Sequence, residues 1–295
     1  MKNYTLGAPL LFWLCTIWMV LAGTPAFCQN QYTNSNHSLN RASFPRQNTW
    51  VFILAGQSNM AGRGTVEPQD TVTSPRILTI NQQGAVIRAR EPLHFYEPNM
   101  KGAGCGLAFA RELLAHLPQD DTILLIPTAV GGSSIGQWLR NTTHRGVALR
   151  TNFSEKMTLG KQHGVIRGIL WHQGESDANP QGIREHSAQM QQLFTTFREQ
   201  AGNPSLPVLI GELGEYSKDS ALWSELNQQM WRYAETDSNC TIVSAKGLNH
   251  KGDYVHFDTA SQRELGRRFA RAYMQNFLPQ GNMIPDIVPG GNAPK

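Results

Sequence analysis

Short apolar runs recur along the chain, each followed by a polar or glycine-rich break. They are 50–55 (WVFILA), 76–81 (RILTIN), 122–127 (TILLIP), 165–171 (VIRGILW), 206–210 (LPVLI) and 241–244 (TIVS). Runs of this length, rich in β-branched and aromatic residues, predict buried strands. Between them lie stretches whose apolar residues return every three or four positions. Leu107, Ala110, Leu113, Leu114 and Leu117 mark the first; Ile183, Met190, Leu193, Phe194 and Phe197 the second. Leu222, Leu226, Met230 and Tyr233 mark the third, and Leu265, Phe269, Tyr273 and Phe277 the last. That spacing predicts helices over 107–117, 183–200, 220–235 and 259–277, each with one buried stripe. Strands alternating with such helices predict an α/β fold, a parallel sheet covered on both faces. No repeat or second core is visible, so a single domain is expected over 49–280. Residues 63–75, 91–106 and 140–160 read as loops.

In a sheet of this kind, sites form at the carboxyl ends of the strands. Here those ends carry Gly56-Gln57-Ser58-Asn59, Gly131-Gly132-Ser133 and Gln173-Gly174-Glu175. A serine leaving a central strand to enter a helix presents its hydroxyl above the sheet, beside its own amide. An acyl-transfer nucleophile needs that geometry. A base and an orienting acid are available in Asp253-Tyr254-Val255-His256, where the two are three residues apart in a glycine-containing loop. The amides of Gly131 and Gly132 can approach a substrate closely, and Gln173 offers a side-chain amide. Taken one at a time, these clusters have plainer readings. Ser58 caps a helix, the glycines make a turn, Asp253 is a turn former, His250 and His256 are surface residues, and Asp258 caps the last helix.

Composition narrows the field. With 295 residues and 40% hydrophobic, the chain can bury a full core. Its formal charge of +4 with no Lys/Arg block gives no nucleic-acid signal. Residues 8–22 are almost wholly apolar and are followed by Gly23, Thr24 and Ala26, the pattern of a secretory signal peptide over 1–28. The expected location is therefore secreted or periplasmic, with no stable membrane insertion after cleavage. Bulky Phe27 directly before Cys28 argues against a lipid anchor there. Residues 29–48 read as a flexible lead-in and 281–295 as a disordered tail. Cys105 and Cys240 remain in the mature chain, where they could form one disulfide; their spacing gives no zinc signal.

GQSNMAG at 56–62, GGSSI at 131–135, WHQGESD at 171–177 and DYVHF at 253–257 together resemble the SGNH hydrolases. The branch they resemble contains the acetylxylan esterases of carbohydrate esterase family 6 and the sialate O-acetylesterases. The resemblance implies a flavodoxin-like three-layer α/β/α sandwich and a serine esterase with no metal or other cofactor. It implies an acetylated oligo- or polysaccharide as substrate: acetylxylan or a related sugar, with O-acetylated sialic acid as the alternative. It matches Ser58 to the nucleophile, His256 to the base and Asp253 to its acid. It matches Ser58, Gly132 and Gln173 to the oxyanion hole, with Gly131 as a neighbouring option. Glu175 and Gln57 stand behind these, Glu175 as an alternative acid for the histidine.

Two other classes compete. A metallohydrolase could draw ligands from His172, Glu175, Asp177, His250, Asp253 and His256, although no HExxH is present. A non-catalytic carbohydrate-binding protein could stack a sugar on Trp138, near the glycine loop.

Overall fold

The structure is a computed structural model that describes Met1 and residues 45–278. The expected signal peptide, most of the lead-in and the tail lie outside the described residues. The fold lies within the unit His37–Lys295. The end of the lead-in, Arg46–Asn48, forms a 3-10 turn leading into the first strand.

In chain order the elements are β1 (Thr49–Gly56), α1 (Ser58–Ala61), β2 (Ile77–Ile80), β3 (Val86–Arg88), α2 (Gly106–Leu114), β4 (Thr122–Pro127), α3 (Ile135–Leu139), β5 (Thr143–His144) and β6 (Val147–Ala148). There follow α4 (Leu149–His163), β7 (Val165–His172), α5 (Pro180–Ala201), β8 (Val208–Gly211), α6 (Ser220–Ala234), β9 (Cys240–Val243) and α7 (Thr259–Phe277). Seven strands form one sheet in the order β3-β2-β4-β1-β7-β8-β9. All pairings are parallel except β2 with β3.

β1 lies at the centre, and every residue in it is buried. Successive side chains of a strand face opposite ways, and the two cores divide accordingly. Val51, Ile53 and Ala55 join one core, with α3 to α6. Trp50, Phe52 and Leu54 join the other, with α2 and α7. This is a three-layer α/β/α arrangement, as the alternation of runs and stripes predicts.

The sequence reading departs from the structure at several points. The stretch 140–160, read as loop, holds the β5–β6 hairpin and most of α4. The buried stripe of α4 is narrow, formed by Leu149, Phe153, Met157 and Gly160. At Gly160 a Cβ would meet Val51 Cγ1 at 3.0 Å, so the glycine that weakens the helical pattern is what seats the helix on the sheet. β3 and α3 also escape the periodicity because both are short. Cys105 and Cys240 are free and buried in different cores, so they form no disulfide. Trp138 offers no sugar platform. It is fully buried, edge-on to Trp171, with Nε1 donating to Ser133 Oγ.

Candidate active site

β1 ends at Gly56 with φ +129°, where any Cβ would lie 2.1 Å from the carbonyl oxygen of His172. Only glycine lets the chain turn that close to β7. Gln57 N then donates to that same carbonyl, and Ser58 opens α1. The serine hydroxyl makes no capping bond. It lies 2.9 Å from His256 Nε2, and His256 Nδ1 lies 2.7 Å from Asp253 Oδ2. With Nδ1–H donating to the carboxylate, Nε2 is left to accept the serine proton.

The loop holding this pair is built around the acid. Asp253 Oδ1 accepts from the amides of Val255 at 3.0 Å and His256 at 2.8 Å. Burial pushes the Asp253 carboxyl up. The amide and ring of His256, with the Val255 amide, outweigh burial and hold it far below the usual carboxylate range. It therefore stays ionised beside the imidazole. Asp258 caps α7 through Ser261 N, as its position before the last helix suggests.

Glu175 does not touch His256. Its Oε1 accepts from Asn59 Nδ2 at 2.6 Å. Asn59 also donates to Val255 O at 3.0 Å and accepts from Phe257 N at 3.1 Å. The carboxylate thus reaches the histidine only through Asn59 and the backbone on either side of it. His172 Nδ1 is 3.9 Å from the same oxygen, but burial lowers the His172 pKa and keeps the ring neutral.

Gln173 is also placed differently from the expectation. It is fully buried, and its amide nitrogen contacts Asp177 Oδ2 at 2.5 Å, Ser133 O at 3.2 Å and Gln57 Oε1 at 3.4 Å. Two amide protons facing three acceptors leave none for a substrate oxygen. Gln173 instead ties together the loops after β1, β4 and β7. Gln57 shares this task, its Oε1 accepting weakly from Ser176 N as well.

The glycine pair divides its work. Gly131 N donates to Glu97 Oε2 at 2.7 Å. Gly132 takes φ +74°, and the turn is tied to the end of β1 by Val130 N, which donates to Gly56 O at 3.1 Å. Glu97 also receives Arg63 at 2.6 Å and Arg145 at 2.5 Å. Burial pushes its carboxyl up, and the Gly131 amide and the two arginines more than offset that. Arg63, Glu97, Arg145 and Asn59 carry no role in the sequence reading, and Asp177 enters it only as a candidate metal ligand. Asn59 and Arg63 at least sit within or beside GQSNMAG; Glu97 lies in a loop with no pattern around it.

The six candidate metal ligands do not converge. Among the described residues, no group of three or more His, Cys, Asp or Glu is placed to hold a metal ion. His250 Nδ1, for one, accepts from the amides of Gly252 and Tyr254 inside its own turn. No helix among the described residues is long and apolar enough to cross a membrane.

Known proteins resemble this chain over the same region. A probable carbohydrate esterase of Arabidopsis thaliana is 33% identical over 249 residues, covering 77% of this chain and 91% of that protein. The crystal structure of an Arabidopsis thaliana protein superposes with a TM-score of 0.70 at 30% identity, covering 78% of this chain and 99% of that one. NanS shares the fold, with a TM-score of 0.62 at 19% identity over 79% of this chain and 98% of its own. Residues 48–275 match the model of the carbohydrate esterase, sialic acid-specific acetylesterase family, and the chain belongs to that family of carboxylic ester hydrolases.

Proposed function

We propose that the protein removes O-acetyl groups from carbohydrate through an acetyl-serine intermediate on Ser58. The observation that carries this reading is the continuous relay from Ser58 Oγ through His256 to Asp253, with contacts of 2.9 and 2.7 Å. His256 takes the hydroxyl proton as Ser58 attacks the acetyl carbonyl. The amides of Ser58 and Gly132 hold the oxyanion, and Gln173 keeps the loops in register without touching it. His256 then protonates the leaving sugar oxygen. Water, activated the same way, releases acetate and restores the serine. Asp253 holds the imidazole in the required tautomer throughout.

Of the two sugars the motifs suggest, the description of the matching family favours an O-acetylated sialic acid over acetylated xylan. Export by the N-terminal signal would bring the enzyme to such extracellular or periplasmic glycans.

Acetate release from acetylated xylo-oligosaccharide, O-acetylated sialyl-oligosaccharide and 4-nitrophenyl acetate tests the reading. Ser58→Ala should abolish release while leaving the fold intact, and a sulfonyl fluoride should label Ser58. If the variant keeps more than a few per cent of wild-type release, the serine mechanism fails.

A further inference from the structure

Arg145 stands at the tip of the β5–β6 hairpin with φ +49°. Hairpin tips with left-handed backbone ordinarily hold Gly, Asn or Asp. A costly conformation kept next to a site points to work done by the side chain it carries. The guanidinium faces the acyl site on one side. Nη1 binds Glu97 Oε1, and Nη2 lies 3.5 Å from where a Cβ on Gly132 would sit. Next to it, His144 Nε2 meets Gly131 O at 3.0 Å, so the hairpin is fastened to the glycine turn directly there and indirectly through Glu97, which Arg145 and Gly131 N share.

On its other side Arg145 lines a cleft of about 510 Å3, a size in the ~300–1,000 Å3 range of small-ligand sites. Phe95, Tyr96, Asn152, Glu155 and Lys156 line it further. Its floor is anchored. The Tyr96 hydroxyl donates to Pro127 O at the end of β4 and pairs with Asn152 on α4, both at 3.0 Å. Its wall is amphipathic. Phe95 is half-buried and presents an aromatic surface, with the Lys156 ammonium 5.9 Å from its ring centroid. An aromatic face among amide, carboxylate, ammonium and guanidinium groups suits a ring with C–H faces and hydroxyl edges. It does not suit an alkyl chain, which would leave those polar groups without partners.

We propose that this cleft is a subsite for a further sugar ring of the substrate, beyond the acetylated residue. Phe95 is its platform, and Arg145 joins it to the acyl site. The assignment rests on reading the protein as a carbohydrate esterase acting through Ser58. An oligosaccharide would run from the serine across the Gly131-Gly132 turn and past the hairpin tip into the cleft.

The test compares Phe95→Ala and the surface variant Lys156→Ala with the wild type on two substrates. One is 4-nitrophenyl acetate, too small to span both positions. The other is whichever of acetylated xylohexaose and O-acetylated sialyl-oligosaccharide the wild type hydrolyses faster. For Phe95→Ala, KM for the oligosaccharide should rise about fivefold more than KM for the aryl ester, the scale of one lost aromatic contact. Lys156→Ala should shift it in the same sense by about twofold. Equal losses on both substrates in both variants, or an unchanged oligosaccharide KM, would overturn the subsite. Ser58→Ala run alongside keeps the two questions apart. If that variant still releases acetate, the serine reading fails, while the KM contrast still decides the cleft.

Discussion

Glu175 binds Asn59, with Nδ2 to Oε1 at 2.6 Å, and leaves His256 to Asp253. Asn59 carries the connection on to Val255 O and Phe257 N, which bracket the histidine. Residues 251 to 255 are exposed, so this buried asparagine helps hold a solvent-facing loop over the serine, alongside the bonds of Asp253 and of Lys251 N to His256 O. In the proposed mechanism Glu175 therefore acts on position, and Asp253 on the charge that develops on the imidazole.

Asp253→Asn should accordingly cost more in kcat than Glu175→Gln, with both variants folded. The double variant should lose less than the sum of the two effects, because both act through one histidine. Steady-state kinetics at saturating substrate decide it. If Glu175→Gln is the more damaging and Asp253→Asn nearly silent, the acid has been misassigned.

Gln173→Ala should damage stability before chemistry. Its amide is a principal partner of Asp177, whose carboxyl is pushed up by burial and otherwise accepts from Ile135 N. Leaving that buried acceptor short of a donor costs about 1–3 kcal/mol. Urea unfolding should show the loss, and kcat measured well below the unfolding midpoint should fall much less than the hundredfold scale of a lost oxyanion donor. A hundredfold fall in kcat with unchanged stability would return Gln173 to the oxyanion hole.

The contrast between Ser58 and Gln173 shows how far the sequence carries. A run such as Trp50 to Ala55 must be buried on both faces, so it has to be central, and the residue after its terminal glycine turn has to stand at the sheet's carboxyl edge. The last helix is legible for a similar reason. Its stripe and the Asp258 cap fix both face and start. Gln173 could be placed at the same edge, but a side-chain amide bonds whichever acceptors reach it first. Here those are Asp177 and Ser133, the second 40 residues away in sequence. The Glu97 cluster is less legible still. Its arginines lie 34 and 48 residues from it, on loops whose sequences carry no periodic signal.

Three buried titratable groups away from the serine contribute to the pH dependence of stability. Burial lowers His186 from 6.5 to about 4, and burial with Arg63 nearby lowers His94 from 6.5 to about 3. The unfolded chain binds those protons more readily, so their contribution is full above pH 6.5 and declines as pH falls toward the folded values. Burial raises Glu91 from 4.5 to about 8. Its folded form keeps a proton that the unfolded chain releases, so its contribution is full below pH 4.5 and is lost as pH rises to 8. His94 and His186, joined by His172, which burial also lowers, outweigh Glu91 below pH 6.5, and above it the Glu91 contribution is the one still being lost. Unfolding free energy should therefore rise as pH climbs toward 6.5 and decline from there toward pH 8. Glu91→Gln should remove the alkaline decline. A wild-type profile flat from pH 6.5 to 8 would show that Glu91 is ionised in the fold.

Glu97→Gln tests how the oxyanion amide is aimed. The carboxylate is nearly buried and holds three donors at once: Gly131 N, Arg63 and Arg145. A carboxamide of the same shape can still accept from Gly131, but it cannot neutralise Arg63, whose side chain is only 4% exposed. Breaking such a buried pair typically costs about 3–5 kcal/mol, so a lower urea midpoint is expected. The catalytic effect follows from geometry. In the proposed mechanism Gly132 presents its amide to the acyl oxygen while Glu97 holds Gly131, and a turn loosened by an ångström would miss a site whose donors must sit within ~2.7–3.1 Å of the oxyanion. The kcat for 4-nitrophenyl acetate, measured where the variant is fully folded, should fall about tenfold or more with KM little changed. Because that ester is small, a loss there cannot come from the sugar cleft beyond Arg145. If kcat is wild-type while stability falls as expected, Glu97 serves the fold alone, and the glycine turn keeps its aim without it.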